Sequence, residues 1–175
     1  IELRDIIQDK MPYDVGLAFN KLRFNSIFNL NLGIKGNGTR GMHWVYFPEK
    51  DFVFFRTGFF SNFSTKMAPD NCYSMYTEVS YSKASPIDKE LIVGKIIKDL
   101  YRAGLISEKS RVLVRNIADI KYGYVIYDKH YKGATSKILN YLRNKGIFMI
   151  GRYGRWKYMT MEDAILDGRR IAEQI

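Results

Sequence analysis

The chain is organised around the stretch from Gly151 to Gly168, whose sequence is GRYGRWKYMTMEDAILDG. Ile147 to Ile150 precede it as a short apolar run with a β-branched residue at each end, which predicts a strand. The two glycines at the start of the stretch allow a tight turn. Thr160 and Asp163 then have the spacing of a capping box, which begins a helix. The stretch therefore predicts a strand, a glycine turn and a C-terminal helix.

The start of that helix is expected to attract an anionic or electron-rich group, because free backbone amides and the positive end of the helix dipole meet there. Several basic and aromatic residues stand around the same point: Arg152, Arg155, Lys157 and Tyr158. A basic turn exposed to solvent is the plainer interpretation of these residues.

Length and composition limit the possible classes of protein. The 175 residues, 46% of them hydrophobic, suffice for a domain that buries about 70% of its unfolded surface. No apolar run approaches the roughly 20 residues of a membrane span, so no membrane span is expected. The single cysteine, Cys72, excludes an internal disulfide and predicts a reducing, cytoplasmic location. We interpret Cys72 as a packing residue.

The formal charge of +10 is consistent with binding to nucleic acid, to anionic lipid or to a phosphorylated small molecule. The 13 tyrosines and 11 phenylalanines keep a basic, aromatic surface for single-stranded nucleic acid as an alternative. The positive charges are spread along the chain, however, and no nucleic-acid module is recognisable. Nucleic acid is therefore not the expected partner.

Alternating apolar and polar residues predict most of the strands. Phe24 to Ile34 has the two-residue period of a half-buried strand. Met42 to Phe47 and Phe52 to Phe60 are predicted to pair as a hairpin, and Tyr73 to Tyr81 to return as a further strand. Two more strands are predicted at Val112 to Lys121 and Tyr122 to Tyr127.

Helical patterns separate these strands. A short pattern follows Pro12, and a second is predicted to begin with Ser85 as the cap and Pro86 at its first position. A third pattern covers Thr135 to Asn144. The expected fold class is α+β: an antiparallel-sheet substrate domain with two or three flanking helices, followed by the C-terminal strand, turn and helix.

The stretch from Gly151 to Gly168 resembles the C-terminal flavin-binding segment of the UDP-galactopyranose mutase family. That family lies within the FAD-dependent amine oxidase and protoporphyrinogen oxidase-like superfamily. Three earlier pieces, WVYFP at 44–48, FFRT with SNFS at 54–64, and TEVS at 77–80, are similar in order and spacing to the family's substrate domain. The resemblance covers roughly residues 22 to 175.

The resemblance implies FAD as the cofactor and a nucleotide sugar or other small molecule as the substrate. It implies a substrate-binding domain at residues 1–146 and a flavin-contacting segment of the FAD domain at 147–175. Arg56 matches an arginine that holds the substrate diphosphate. The implied substrate-binding residues are Arg56, Tyr46, Tyr124, Tyr158 and Asn62, and the implied cofactor-binding residues are Gly151, Arg152, Met161 and Glu162.

Two positions depart from the family pattern, and one motif does not occur. Phe63 replaces a substrate-contacting tyrosine, and Tyr124 to Tyr127 replace a Tyr-Pro-x-Pro turn. The family's N-terminal GxGxxG motif for the FAD diphosphate is not found in this sequence. We therefore expect a C-terminal fragment that is inactive alone and whose partner is the N-terminal FAD domain of the same protein.

The mutase resemblance implies that reduced flavin attacks the anomeric carbon of a UDP-hexose and that the sugar recloses with a different ring size. No residue of this chain is then required as a general acid or base, and no catalytic residue or metal ligand is predicted.

The alternative is an amine oxidase-like or protoporphyrinogen oxidase-like enzyme that removes hydride from its substrate. The third hypothesis is the nucleic-acid-binding module. Oligomeric state is left open.

Overall fold

The fold is α+β, as predicted, in a computed structural model that describes residues 2–7, 10–39 and 41–175. The strands are β1 (Arg23–Lys35), β2 (Trp44–Tyr46), β3 (Arg56–Phe59), β4 (Cys72–Tyr81) and β5 (Arg111–Ile126). The helices are α1 (Leu3–Ile6), α2 (Tyr13–Lys21), α3 (Ile92–Arg102), α4 (Tyr131–Asn144), α5 (Gly151–Gly154) and α6 (Met161–Ala172). Short 3-10 helices occur at Phe60–Asn62 and Thr65–Met67.

The strands form one sheet in the order β2-β3-β4-β1-β5. The pairs β2–β3, β3–β4 and β1–β4 are antiparallel, so the predicted hairpin of β2 and β3 is confirmed. In the β1–β4 register Phe28 lies opposite Val79 and Asn29 lies opposite Glu78. Directly opposed residues share a face, and the period of two therefore divides β1 from Phe28 to Ile34 into an apolar face and a polar face.

The chain divides into two compact units, Asn25–Gly123 and the remainder, Ile1–Phe24 with Tyr124–Ile175. In the first unit the apolar sheet face packs against α3 and the turn that follows it. Leu30, Ile34 and Met75 from the sheet and Ile96 and Leu100 from α3 are fully buried there. The predicted boundary at residue 146 concerns which ligand each part binds, and it stays a prediction.

The second unit has its own apolar cluster, built mainly by α2 and α4. Val15, Ala18 and Phe19 of α2 pack with Ile138 and Leu142 of α4. These residues recur at three- and four-residue spacing, so each helix presents one apolar face.

Three sequence-based expectations about local structure were wrong. Ile147 to Ile150 form no strand, and the glycine turn after them is the single helical turn α5. Apolar character alone does not make a strand, because a strand also needs a neighbour to complete its backbone hydrogen bonds. Helix α3 begins at Ile92 rather than at Pro86. The two strands predicted between Val112 and Tyr127 are one, β5.

Ser85 to Leu91 are not helical: irregular chain follows a bend at Ser85, and a turn at Lys89 to Leu91 leads into α3. The Ser85 amide donates to the Ser82 hydroxyl, and the amides of Glu90 and Leu91 donate to the Asp88 carboxylate. Asp88 is thus the side chain that organises the entry to α3, since short acidic side chains bind nearby amides and favour turns. Along the described part of the chain, no helix combines the length and hydropathy of a membrane-spanning segment.

Replacing Gly58 with alanine is expected to destabilise the sheet by about 1–3 kcal/mol, because overpacking forces a neighbouring ring to move. A Cβ at Gly58 would lie 2.3 Å from Cε1 of Tyr76, the residue directly opposite on β4. Urea unfolding measures the effect. As the matched control, Gly94→Ala on α3 has nothing within 4 Å of its added Cβ and should stabilise by about 0.5–1 kcal/mol. Equal effects of the two changes would contradict the prediction.

Candidate functional site

Arg56 lies in a row of polar residues that crosses three strands. On β3 it is directly opposite Tyr46 of β2 and Glu78 of β4. Its Nη2 donates to Oε1 of Glu78 over 2.7 Å, and its Nη1 donates to the Tyr46 hydroxyl over 3.3 Å. The Arg56 and Glu78 side chains are 22% and 11% exposed, so the ion pair is largely removed from solvent. The guanidinium is thereby held in one orientation.

Aromatic rings surround the same guanidinium. Its Cζ lies 5.7 Å from the ring centroid of Tyr46 and 5.9 Å from those of Phe55 and Tyr76. Cations at these distances are attracted by ring faces. The Tyr46 oxygen accepts from Arg56, and its own O–H can still donate to an anion. Arg56 and Tyr46, predicted from the sequence to bind one ligand, are in contact.

A group of exposed aromatic residues lies at the start of β2 and near the 3-10 helix that follows β3. The rings of Trp44 and Phe63 are stacked with centroids 6.1 Å apart, and His43 lies edge-on to Phe63 at 4.4 Å. Trp44 and Phe63 are 53% and 56% exposed. Phe63, which departs from the family pattern, thus contributes an apolar ring where a hydroxyl was expected.

Asn62 supports a loop. Its side-chain nitrogen donates to the carbonyl oxygens of Thr39 and Met42, each over 2.6 Å. These two bonds commit the amide nitrogen, so a substrate contact would use the carbonyl oxygen. The predicted substrate contact of Asn62 stays a prediction.

A second arginine-centred group lies in the other unit. Cζ of Arg152 is 4.9 Å from the ring centroid of Tyr124, 4.8 Å from that of Tyr158 and 5.7 Å from that of Tyr153. The Tyr158 amide donates to the hydroxyl of Tyr127 over 2.6 Å, which ties the chain after α5 to the end of β5. Tyr124 of β5 is therefore brought together with Arg152 and Tyr158 of the C-terminal stretch, as the prediction of neighbouring roles requires.

Asp167 of α6 holds the glycine turn in place. One carboxylate oxygen accepts from the Gly151 amide over 2.9 Å, and the other pairs with Nη1 of Arg155 at 3.2 Å. Asp167 is only 6% exposed. Gly151 has φ of +71°, a left-handed conformation that favours glycine. The sequence analysis missed Asp167; its signal was a charged residue on the otherwise apolar side of a helix.

The N-terminus of α6 has the predicted capping box. The Asp163 amide donates to the Thr160 hydroxyl over 3.1 Å, and the Thr160 amide donates to the Asp163 carboxylate over 2.9 Å. Hydrogen bonds from the Thr160 amide and then from its hydroxyl lower the pKa of Asp163. The Ala164 amide donates to the Thr160 carbonyl. The capping box uses two of the four backbone amides from Thr160 to Asp163. The other two amides can donate to another acceptor.

Those two amides belong to Met161 and Glu162, two of the residues that the family resemblance implies bind FAD, where they would meet the pyrimidine edge of the flavin. Met161 is 87% exposed, so the approach to this helix end is open within its unit. A flavin pyrimidine edge offers carbonyl oxygens, and two adjacent donors at a positive helix end suit such an acceptor. The residues present therefore fit the predicted group.

Asp163 makes the helix start sensitive to acid. The pKa of Asp163 is lower in the folded chain than in the unfolded chain, where it has the ordinary aspartate value of about 4. Asp163 therefore contributes its full share to folding stability above about pH 4, and this share is lost as the pH falls through the lowered pKa. We expect urea unfolding to show weaker stability at about pH 2 than at about pH 5. Thr160→Ala should remove about 1 kcal/mol at neutral pH and reduce the acid dependence. An unchanged acid dependence in that variant would contradict the assignment.

The fold and the two arginine-centred groups define an α+β chain with two surfaces suited to anionic or electron-rich small molecules. No protein-family model matches the chain. It is similar to the crystal structure of reduced UDP-galactopyranose mutase, with a TM-score of 0.74 and 25% identity over 81% of this chain and 31% of that one.

It is also similar to a protein from Exiguobacterium sp. 255-15 provisionally named a protoporphyrinogen oxidase, with a TM-score of 0.68 and 11% identity over 89% of this chain and 35% of that one. The similarity to the mutase supports the resemblance of this sequence to the FAD-dependent superfamily. The similarity to the second protein supports the fold only. The chain spans about a third of the length of these two structures.

Proposed function

We propose that the chain is the substrate-binding and flavin-contacting part of an FAD-dependent enzyme that acts on a nucleotide sugar, as UDP-galactopyranose mutases do. The observation that carries the proposal is the similarity to the reduced mutase at 25% identity. It is supported by the contacts of Arg152 with Tyr124 and Tyr158, because the family resemblance implies that Arg152 binds the flavin and that the two tyrosines bind the substrate, two ligands that must meet.

Arg56 is proposed to bind the diphosphate of the substrate. A guanidinium grips phosphate oxygens in pairs, and charge-assisted hydrogen bonds contribute about 1.5–3 kcal/mol each. Tyr46 would add a donor beside it. The same contacts would stabilise UDP as it departs and hold it for recapture, which is charge stabilisation and positioning rather than proton transfer. Tyr124, Tyr158 and Asn62 are the further proposed substrate contacts.

Residues 147–175 are proposed to contact FAD, with residues 1–146 as the substrate-binding domain. Gly151 and Arg152 would lie beside the flavin, and the amides of Met161 and Glu162 would donate to its pyrimidine edge. When bound, reduced FAD supplies the nucleophile for the anomeric carbon of the sugar. The rings around Arg152 would keep its charge oriented, because a guanidinium between aromatic faces loses few conformations on binding.

The visible spectrum of the protein produced from the complete reading frame tests this function. We expect flavin bands near about 450 nm that bleach with dithionite and shift when UDP is added. Turnover of UDP-galactopyranose without net oxidation or reduction would in addition support the proposed mutase reaction. A colourless protein would contradict the proposal and favour the basic binding module, whose signature is steeply salt-dependent nucleic-acid binding.

A flavin oxidoreductase is the second candidate. Phe63 favours it, because its stacked ring lacks the hydroxyl of the substrate-contacting tyrosine that the mutase family has at this position. Consumption of oxygen or of an electron acceptor in step with substrate loss would identify this reaction. Turnover without any acceptor would exclude it.

A further inference from the structure

Strand β5 forms a long, uncovered edge of the sheet. It lies at one end of the strand order and runs over 16 residues, Arg111–Ile126, with no proline. Leu113, Val114 and Ile117 on it are 50%, 58% and 51% exposed. The outer side of an edge strand carries a row of backbone amides and carbonyls that can pair with another strand. β5 therefore combines these backbone groups with apolar side chains that a further strand would cover.

The opposite edge of the same sheet is protected. β2 has only three residues, Trp44–Tyr46, and Pro48, which has no amide to donate, follows two positions later. Short edge strands and prolines are devices by which natural sheets avoid association between edges. β5 has neither device, although both edges belong to one sheet. The difference indicates that β5 is an assembly surface.

The charges of β5 match those of a second β5 that runs in the opposite direction. Arg115 and Asp119 are four positions apart and therefore lie on the same face of the strand. An antiparallel pair of β5 strands centred on Ile117 places Arg115 of each copy directly opposite Asp119 of the other. Neighbouring registers place Arg115 opposite an apolar residue or opposite Lys121. Charge complementarity therefore selects one register, and it favours a second copy of the chain as the partner.

Both members of this cross-strand pair are suited to it. Arg115 is exposed and forms no ion pair among the residues that the structure describes. The Asp119 carboxylate accepts hydrogen bonds from the Lys89 ammonium and from the Tyr81 hydroxyl. These two bonds, that of Lys89 first, lower the pKa of Asp119 and keep it charged at neutral pH. Because a carboxylate has about four acceptor sites, Asp119 can accept Arg115 of a second copy and keep both bonds.

The same register pairs the exposed apolar side chains. Ile117 lies opposite Ile117 of the second copy, and on the other face Val114 lies opposite Ile120 twice. Such directly opposed β-branched side chains stabilise a sheet. Overlap of the two strands from Arg111 to Gly123 gives about ten backbone hydrogen bonds, as many as a typical protein interface has.

We propose that β5 pairs antiparallel with β5 of a second copy of this chain, around a two-fold axis at Ile117. Two five-stranded sheets would then form one continuous sheet. Two-fold dimers are the commonest protein assemblies, and an antiparallel pair of identical strands has this symmetry. The dimer does not depend on the proposed reaction, so each proposal can fail without the other.

Sedimentation equilibrium of the chain tests the dimer. We expect a monomer–dimer equilibrium, and Arg115→Glu should weaken association at least about tenfold because a carboxylate would then face Asp119 in both pairs. Arg111→Glu is the matched control, since it makes the same change of net charge on the same strand and face. Arg111 lies opposite Gly123 in this register, so its replacement should leave association within about threefold.

Cross-linking tests the register. In a chain whose single cysteine is removed by Cys72→Ser, Ile117→Cys should give a covalent dimer on oxidation with diamide. Directly opposed strand residues have Cβ atoms about 4.5–5.5 Å apart, which is close enough for a disulfide after a small adjustment. Ile120→Cys is the control, because its two copies would lie about 20 Å apart along the strands and should stay uncrosslinked.

The outcomes separate a second copy from other partners of this edge. A chain that is still monomeric at about 1 mM overturns the proposal, because interfaces of ordinary size bind in the micromolar range or more tightly. A dimer that is unchanged by Arg115→Glu, or that cross-links through Ile120→Cys and not through Ile117→Cys, also overturns it. If the chain dimerises but the protein from the complete reading frame does not, another part of that protein covers β5 and the proposal is wrong. Thermal unfolding of each variant checks that it is folded.

Discussion

Replacing Arg56 with alanine is expected to weaken UDP binding at least about 100-fold and to destabilise the fold by about 3–5 kcal/mol. The first effect follows from the loss of paired, charge-assisted hydrogen bonds to phosphate. The second follows because Glu78, 8% exposed, would keep a buried carboxylate without its partner. Calorimetric titration with UDP and urea unfolding measure the two effects separately.

Two further variants separate binding from stability. Arg56→Ala combined with Glu78→Ala removes both charges and should recover most of the lost stability, but none of the lost affinity. Arg56→Lys keeps the charge without the planar fork and should cost about tenfold in affinity. If the double variant bound UDP as the wild type does, Arg56 would be a structural residue only.

Replacing Asp167 with alanine is expected to destabilise the chain by about 2–4 kcal/mol, because it removes the acceptor of the Gly151 amide and the partner of Arg155 together. The glycine turn that carries Arg152 would lose its attachment to α6. We therefore also expect the protein from the complete reading frame to retain less flavin. Urea unfolding and the flavin-to-protein absorbance ratio report the two effects.

Asp167→Asn keeps an acceptor for the Gly151 amide while losing the charge, and it should cost about half as much. The matched control is Glu173→Ala, which breaks the exposed pair of Arg169 and Glu173 at the C-terminal end of the same helix and should change stability by less than about 0.5 kcal/mol. A similar loss in the Asp167 and Glu173 alanine variants would show that Asp167 does not anchor the turn.

Local patterns predicted the parts of this fold that local chemistry decides. The alternation from Phe24 to Ile34 predicted β1, and the spacing of Thr160 and Asp163 predicted the capping box of α6. In both cases the deciding contacts lie within a few residues or on one face of one element. The predicted start of α3 at Pro86 was wrong because the Asp88 carboxylate accepts from the amides of Glu90 and Leu91, which a helix beginning at Pro86 would have used. The proline in the sequence does not reveal that competition.

The sequence by itself determined the α+β class and the strand faces, and the family resemblance singled out Arg56 with Tyr46 and Arg152 with Tyr124 and Tyr158. Only the tertiary structure decided the acidic partner of Arg56 and that of the glycine turn that carries Arg152. Glu78 reaches Arg56 from 22 positions along the chain, and Asp167 reaches Gly151 from 16, because sheet register and helix packing bring them together. Burial by the fold then raises the cost of leaving such charges unpaired, and no spacing in a sequence records that cost.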